Sequence, residues 1–126
     1  MSQPTVLFVD DSETSLASTR MVTNSMPIEV IQYIEATIAL SDIKSGKIKP
    51  DLVITDFNMP IMNGLEFLHA MRKIEATKTT PVLMLTTETK TELKQQGKAL
   101  GLTGWIVKPF NPAQLKQAIT RVLRLS

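Results

Sequence analysis

The chain of 126 residues contains no cysteine. That excludes a disulfide framework and thiol-ligated metals, so any metal bound here must be a hard cation held by oxygen, such as Mg²⁺ or Ca²⁺. Aromatic residues are sparse, with a single Trp and a single Tyr, and an aromatic-rich binding surface is not expected. No stretch approaches the roughly 20 apolar residues that span a bilayer, and the amino end from Met1 to Val9 lacks a basic flank followed by a long apolar run. A cytoplasmic protein without membrane association is the expectation. Excess charge is small too: fourteen Lys and Arg against twelve Asp and Glu leave +2, too little to drive sequence-independent nucleic-acid binding. Repeats, low-complexity tracts and linkers are also lacking. One domain over residues 1–126 follows, with no output domain and a single core that buries roughly two-thirds of the surface of the unfolded chain.

What the chain does contain is five short apolar runs separated by longer amphipathic segments. The runs are Thr5 to Val9, Glu29 to Ile34, Asp51 to Thr55, Pro81 to Leu85, and Gly104 to Val107. Thr5 to Val9, Leu52 to Ile54 and Val82 to Leu85 are continuously apolar rather than alternating, the pattern of strands covered on both faces. Helices are predicted between them. Ser12 caps Glu13 to Thr23, and Gly64 opens a helix through Ile74 with Leu65, Leu68 and Met71 at helical spacing. Thr37 to Ser45 ends at Gly46, Thr89 to Leu100 ends at Gly101, and Pro112 to Leu123 starts after Asn111 as cap. Strands alternating with helices give an α/β fold, a doubly wound five-stranded parallel sheet with five helices. In such sheets the ligand site lies at the carboxyl ends of the strands.

The residues with chemical potential stand where that rule puts them. Asp10 and Asp11 follow the first strand and Asp56 follows the third, so three carboxylates converge on one edge. Clustered anions repel one another and need a counter-charge, which a divalent ion supplies. Mg²⁺ takes one or two carboxylates plus water and phosphate oxygens, and three acids around an open position suit it. Lys108 ends the fifth strand and adds an ammonium, while Thr86 and Thr87 place hydroxyls at the end of the fourth. A carboxylate nucleophile, a metal, a cation and a hydroxyl donor are the parts that phosphoryl transfer requires. The competing reading of Asp10-Asp11-Ser12 alone is a helix cap.

In order, Asp10-Asp11, Asp56-Phe57-Asn58-Met59-Pro60-Ile61-Met62-Asn63-Gly64, Thr86 and Lys108-Pro109-Phe110 resemble the receiver domains of two-component response regulators, closest to the single-domain CheY-like chemotaxis type. The resemblance covers essentially the whole chain. It implies the flavodoxin-like strand order 2-1-3-4-5, Asp56 as phosphoacceptor, and Mg²⁺ held by Asp10, Asp11, Asp56 and the backbone carbonyl of Asn58, with Asp10 acting largely through water. Lys108 would contact the phosphoryl group and Thr86 would swing toward it. Trp105, three residues before the Lys, occupies the place of a switch aromatic that is more often Tyr or Phe; it is bulkier and has no hydroxyl to accept a hydrogen bond. Thr87 stands where Ala or Gly is common and would crowd the entry. Asn58 and Glu88 would flank the path of an attacking water and set the lifetime of the phosphate. The Lys108-Pro109 bond is expected to be cis. Implied partners are a CheA-like histidine kinase and a flagellar motor switch protein or phosphatase, with the protein itself a monomer and no enzyme beyond its own phosphorylation and dephosphorylation. A phosphorelay intermediate or a regulator outside chemotaxis is the alternative role.

Two other classes compete with this reading. A Mg²⁺-dependent phosphohydrolase resembling the haloacid dehalogenases would carry an acid two positions after its nucleophile, where this chain has Asn58. A flavodoxin-type binding module would carry a phosphate-cradling loop after the first strand, where two acids stand. A receiver that only docks is opposed by the filled key positions. Of the remaining features, Lys90, Lys94 and Lys98 form a basic stripe on the fourth helix, read either as a solvated face or as part of an output surface with Trp105 and the fifth helix. His69 has no second His or Cys beside it and is read as a helix-face residue. Met59 and Met62 are expected to pack the loop after Asp56, and Gly64 to permit a close turn.

Overall fold

A computed structural model describes residues 3–125. Its strands are β1 (Thr5–Val9), β2 (Glu29–Tyr33), β3 (Leu52–Thr55), β4 (Val82–Thr86) and β5 (Gly104–Val107). The helices are α1 (Glu13–Thr23), α2 (Ala36–Lys44), α3 (Gly64–Met71), α4 (Thr91–Ala99) and α5 (Pro112–Leu123), with a 3₁₀ turn at Glu75–Thr77. All strand pairs are parallel and the sheet order is β2-β1-β3-β4-β5, as the resemblance implies. No helix of the described residues is long and apolar enough to cross a membrane.

The continuously apolar strands are buried on both faces. Leu7, Val9, Val53, Val82 and Met84 pack with α2 and α3 through Ala39, Ile43, Phe67, Leu68 and Met71. On the other face Val6, Phe8, Leu52, Ile54, Leu83 and Leu85 pack with Leu16 of α1 and with Leu115 and Ile119 of α5. Side chains of this size contribute about 1.5–3 kcal/mol each when fully buried. The hydrophobic effect therefore fixes both layers, and the strand ends are left free for polar residues.

Several boundaries differ from the sequence expectation, each for a local reason. The third helix stops at Met71 rather than Ile74 because the Thr77 hydroxyl donates to the Met71 carbonyl at 2.7 Å, and the next N–H groups, of Lys73 and Ile74, bond three residues back. The fourth helix begins at Thr91 rather than Thr89. Glu88 Oε1 accepts the N–H groups of Thr89 and Lys90 at 3.2 and 3.3 Å, holding both outside the helix. Its other end is a Schellman motif in which Gly101, at φ +79, lets Leu102 donate to Gly97 and Gly101 to Lys98. Ile34 lies beyond β2 and is 55% exposed; the Tyr33 carbonyl is the last to pair, accepting from Asp10 N–H. The second helix runs Ala36–Lys44, and β3 and β4 begin at Leu52 and Val82, a shift of one residue each.

Candidate functional site

The main chain brings the chemistry-bearing residues to one edge by continuing the ladder one residue past each strand. Asp10 N–H donates to Tyr33 C=O, Asp56 N–H to Val9 C=O at 3.0 Å, and Lys108 N–H to Thr86 C=O at 2.8 Å. Each functional side chain therefore leaves a backbone that cannot slide. Asp10 is 5% and Asp56 9% exposed, whereas Asp11 is exposed. The three carboxylates offer oxygens that lie within 4.8 Å of one another. Among the described residues no other group of acids, His or Cys is so placed.

Lys108 joins the cluster from the fifth strand. Its ammonium donates to Asp10 Oδ2 at 2.6 Å, to Asp56 Oδ2 at 3.2 Å and to Ser15 Oγ on α1 at 2.9 Å. The remaining oxygens are held as well: Asp10 Oδ1 accepts from Ser12 N–H at 2.9 Å, and Asp56 Oδ1 from Asn58 N–H at 3.2 Å. Burial pushes the Asp10 carboxyl above its ordinary range, and the Lys108 bond and charge only partly offset it. For Lys108 burial pulls the other way from its partners, and the bond to Asp10 with the charges of Asp10 and Asp56 wins, so its pKa is raised. With all three acids ionised, one ammonium leaves two negative charges uncompensated at this edge. Hard oxygen donors, close spacing and that residual charge fit a divalent cation such as Mg²⁺, with Asp10, Asp11 and Asp56 as the residues to hold it.

Around this centre the structure places the other expected residues with mixed results. Thr86 is buried and its hydroxyl accepts from Glu88 N–H at 3.3 Å; Thr87 is exposed. Asn58 is exposed and is tied to Asp56 by its N–H. The Glu88 carboxylate is occupied with the start of α4, and its carbonyl accepts the Trp105 indole N–H at 2.8 Å. That last bond links β5 directly to the loop after β4. The Lys108-Pro109 bond is cis. Met59 and Met62 are half-buried against the core, and His69 is exposed. A β-carbon on Gly64 would stand 2.5 Å from the Asp56 carbonyl oxygen, so the glycine is required by close approach rather than by its φ.

Ser15 is the contact at this edge that sequence reasoning does not single out. It is the third residue of α1, and its signal is the capped first turn, Ser12-Glu13-Thr14-Ser15, directly after two acids: a side chain there turns back toward the cap and the sheet edge.

The chain is similar to known proteins over most of its length. The family model described as response regulator receiver domain matches residues 6–120. The chain is 35% identical over 118 residues to chemotaxis protein CheY-3 of Vibrio cholerae, covering 93% of this chain and 89% of that one. It is 39% identical over 88 residues to chemotaxis protein CheY of Pseudomonas aeruginosa, covering 70% and 69%. A solved structure of Vibrio cholerae chemotaxis protein CheY4 superposes with a TM-score of 0.87 at 44% identity, over 96% of this chain and 99% of that one.

Proposed function

This chain belongs to the response regulator receiver family and is homologous to CheY chemotaxis regulators, and from that premise we propose that it is a single-domain regulator whose Asp56 accepts a phosphoryl group from a histidine kinase. The observation that carries the reading is the Lys108 ammonium bonded to both Asp10 and Asp56 at the carboxyl edge of the sheet. An oxygen of the Asp56 carboxylate attacks phosphorus in line, the new O–P bond forms as the bond from phosphorus to the donor breaks, and the electron pair leaves with the donor imidazole nitrogen. Lys108 stays within reach of the charge that gathers on the transferred oxygens, and the Thr86 hydroxyl gives up its Glu88 N–H to meet them. Asp10, Asp11, Asp56 and the Asn58 carbonyl would hold Mg²⁺, which supplies further positive charge to those oxygens when bound. Release of Glu88 N–H by Thr86 would be felt by Trp105 through the Glu88 carbonyl.

Signalling then passes through a surface. Lys94 and Lys98 are exposed on α4 and Lys90 is exposed at its N-cap, just before the helix, and a cleft of about 270 Å³ between α4 and β5 is lined by Lys94, Lys98, Leu102 and Trp105. An apolar floor with a basic rim suits an acidic amphipathic segment, and a motor switch protein or kinase is the partner this reading assigns. Reversing all three charges should weaken such binding by about tenfold or more at low salt; unchanged binding would remove the assignment. Chemotaxis is the role favoured by the relatives. Asn58, where a phosphohydrolase would have an acid, argues against independent enzymatic turnover.

The test of the reading is direct. Incubated with Mg²⁺ and acetyl phosphate, the protein should gain one acid-stable, base-labile phosphoryl mass and change its Trp105 fluorescence, and Asp56→Asn should do neither. A full adduct on Asp56→Asn would refute it.

A further inference from the structure

Resting on the assignment of Asp56 as phosphoacceptor, we propose that Ser15 is a positioning residue that fixes the Lys108 ammonium where it meets the group carried by Asp56. An ammonium has three N–H donors. Here each finds an acceptor on a different element: Asp10 after β1, Ser15 on α1 and Asp56 after β3. The two carboxylates draw Lys108 by charge, and the draw of Asp56 changes when its oxygen becomes part of an acyl phosphate. The Ser15 hydroxyl is neutral, and its hold does not change. Asp10 also keeps its hold, so Ser15 is the one unchanging contact that fixes the ammonium without adding charge, and from a different element.

Ser15 is itself fixed by a closed circuit of hydrogen bonds. Its N–H donates to the cap, Ser12 Oγ, at 3.2 Å; Ser12 N–H donates to Asp10 Oδ1 at 2.9 Å; Lys108 donates to Asp10 Oδ2 at 2.6 Å and returns to Ser15 Oγ at 2.9 Å. The first turn of α1 therefore sets both the orientation of Asp10 and the place of Lys108. Without the hydroxyl, the ammonium has only the two carboxylates to settle between. The Lys108 side chain is 14% exposed, so water replaces the lost acceptor from one side only, through a cleft of about 520 Å³ lined by Thr14, Ser15, Ser18, Met21 and Phe110.

The variants Ser15→Ala, Ser15→Cys and Ser15→Thr separate positioning from packing. Ala keeps the N–H to Ser12 and favours helix, Cys keeps the size with a weak acceptor, and Thr keeps the hydroxyl. Adduct formation from acetyl phosphate at saturating Mg²⁺, followed by intact mass, is expected to slow about tenfold in the Ala and Cys variants, because one charge-assisted bond that orients the cation is lost. Thr should restore the rate to within about twofold. In the metal-free proteins, the ¹⁵N resonance of the Lys108 ammonium should move in Ala and Cys but stay near the wild-type position in Thr, with melting temperatures unchanged. A wild-type rate and resonance in Ser15→Ala would overturn the proposal. So would a Thr variant as slow as Ala. If the wild-type protein formed no adduct at Asp56, the assignment of Asp56 would fall instead, and the ammonium resonance would still decide whether Ser15 holds Lys108.

Discussion

The residues of the site are constrained by contacts that tolerate almost no change of size. Gly64 shows this most sharply: an added β-carbon would meet Asp56 O at 2.5 Å, Met84 Sδ at 2.8 Å and Phe57 Cα at 2.9 Å. Two of these are backbone atoms of the loop that carries Asp56. Gly64→Ala is expected to lose about 2 kcal/mol or more in urea unfolding, the cost of overpacking a site that cannot yield, and to slow phosphorylation by displacing Asp56. A variant as stable and as active as wild type would contradict that account. The acids, Lys108 and Gly64 could be found in the sequence because each stands one or two steps beyond an apolar run or opens a helix. Ser15 could not be weighed in the same way. A serine in the first turn of a helix is common, and only the arrival of Lys108 from 93 residues away gives it a role.

Elements are tied to one another by polar contacts at their ends, and these decide boundaries that periodicity leaves open. Arg72, just past α3, donates to the carbonyls of Thr77, Thr80 and Leu100 at 2.9, 2.7 and 3.0 Å. It binds the end of α3 to the loop before β4 and to the end of α4, and burial lowers its pKa. Apolar spacing through Ile74 gives no hint of that clamp or of the Thr77 bond that ends the helix at Met71, and so predicts a longer helix than forms. At the opposite edge the Tyr33 hydroxyl of β2 donates to the Asp42 carboxylate of α2. That bond, with burial and the Asp42 charge behind it, pushes the Tyr33 pKa up to about 12, from near 10 in an unfolded chain. A raised value means that the bond stabilises the fold fully below pH 10 and is lost as pH rises toward 12. Tyr33→Phe should therefore cost about 1 kcal/mol at pH 7, and the difference between the two proteins should shrink above pH 10. Denaturant titrations at pH 7 and pH 11 check this; a constant difference would show that the hydroxyl is not the cause.

For the whole molecule, the parallel sheet is what turns scattered residues into a site. Because every strand points the same way, the residues that follow β1, β3, β4 and β5 all arrive at one edge, although Asp10 and Lys108 are 98 positions apart. The continuous apolar runs at Val6 to Val9, Leu52 to Ile54 and Val82 to Leu85 made that arrangement legible, since only strands covered on both faces need such runs. Strand order was not legible from periodicity; it came from the likeness of ordered motifs to a known family and is seen in the structure. Nor was the bond from Trp105 to the Glu88 carbonyl, because side-chain spacing says nothing of which main-chain groups a folded loop leaves free. Under the proposed function this edge places a phosphoryl group on Asp56. Borohydride reduces an acyl phosphate to an alcohol, so treating the protein with acetyl phosphate, Mg²⁺ and then borohydride marks the acceptor permanently. Peptide mass analysis should find homoserine in place of aspartate at position 56 and nowhere else; homoserine at position 10 or 11, with position 56 intact, would contradict the account.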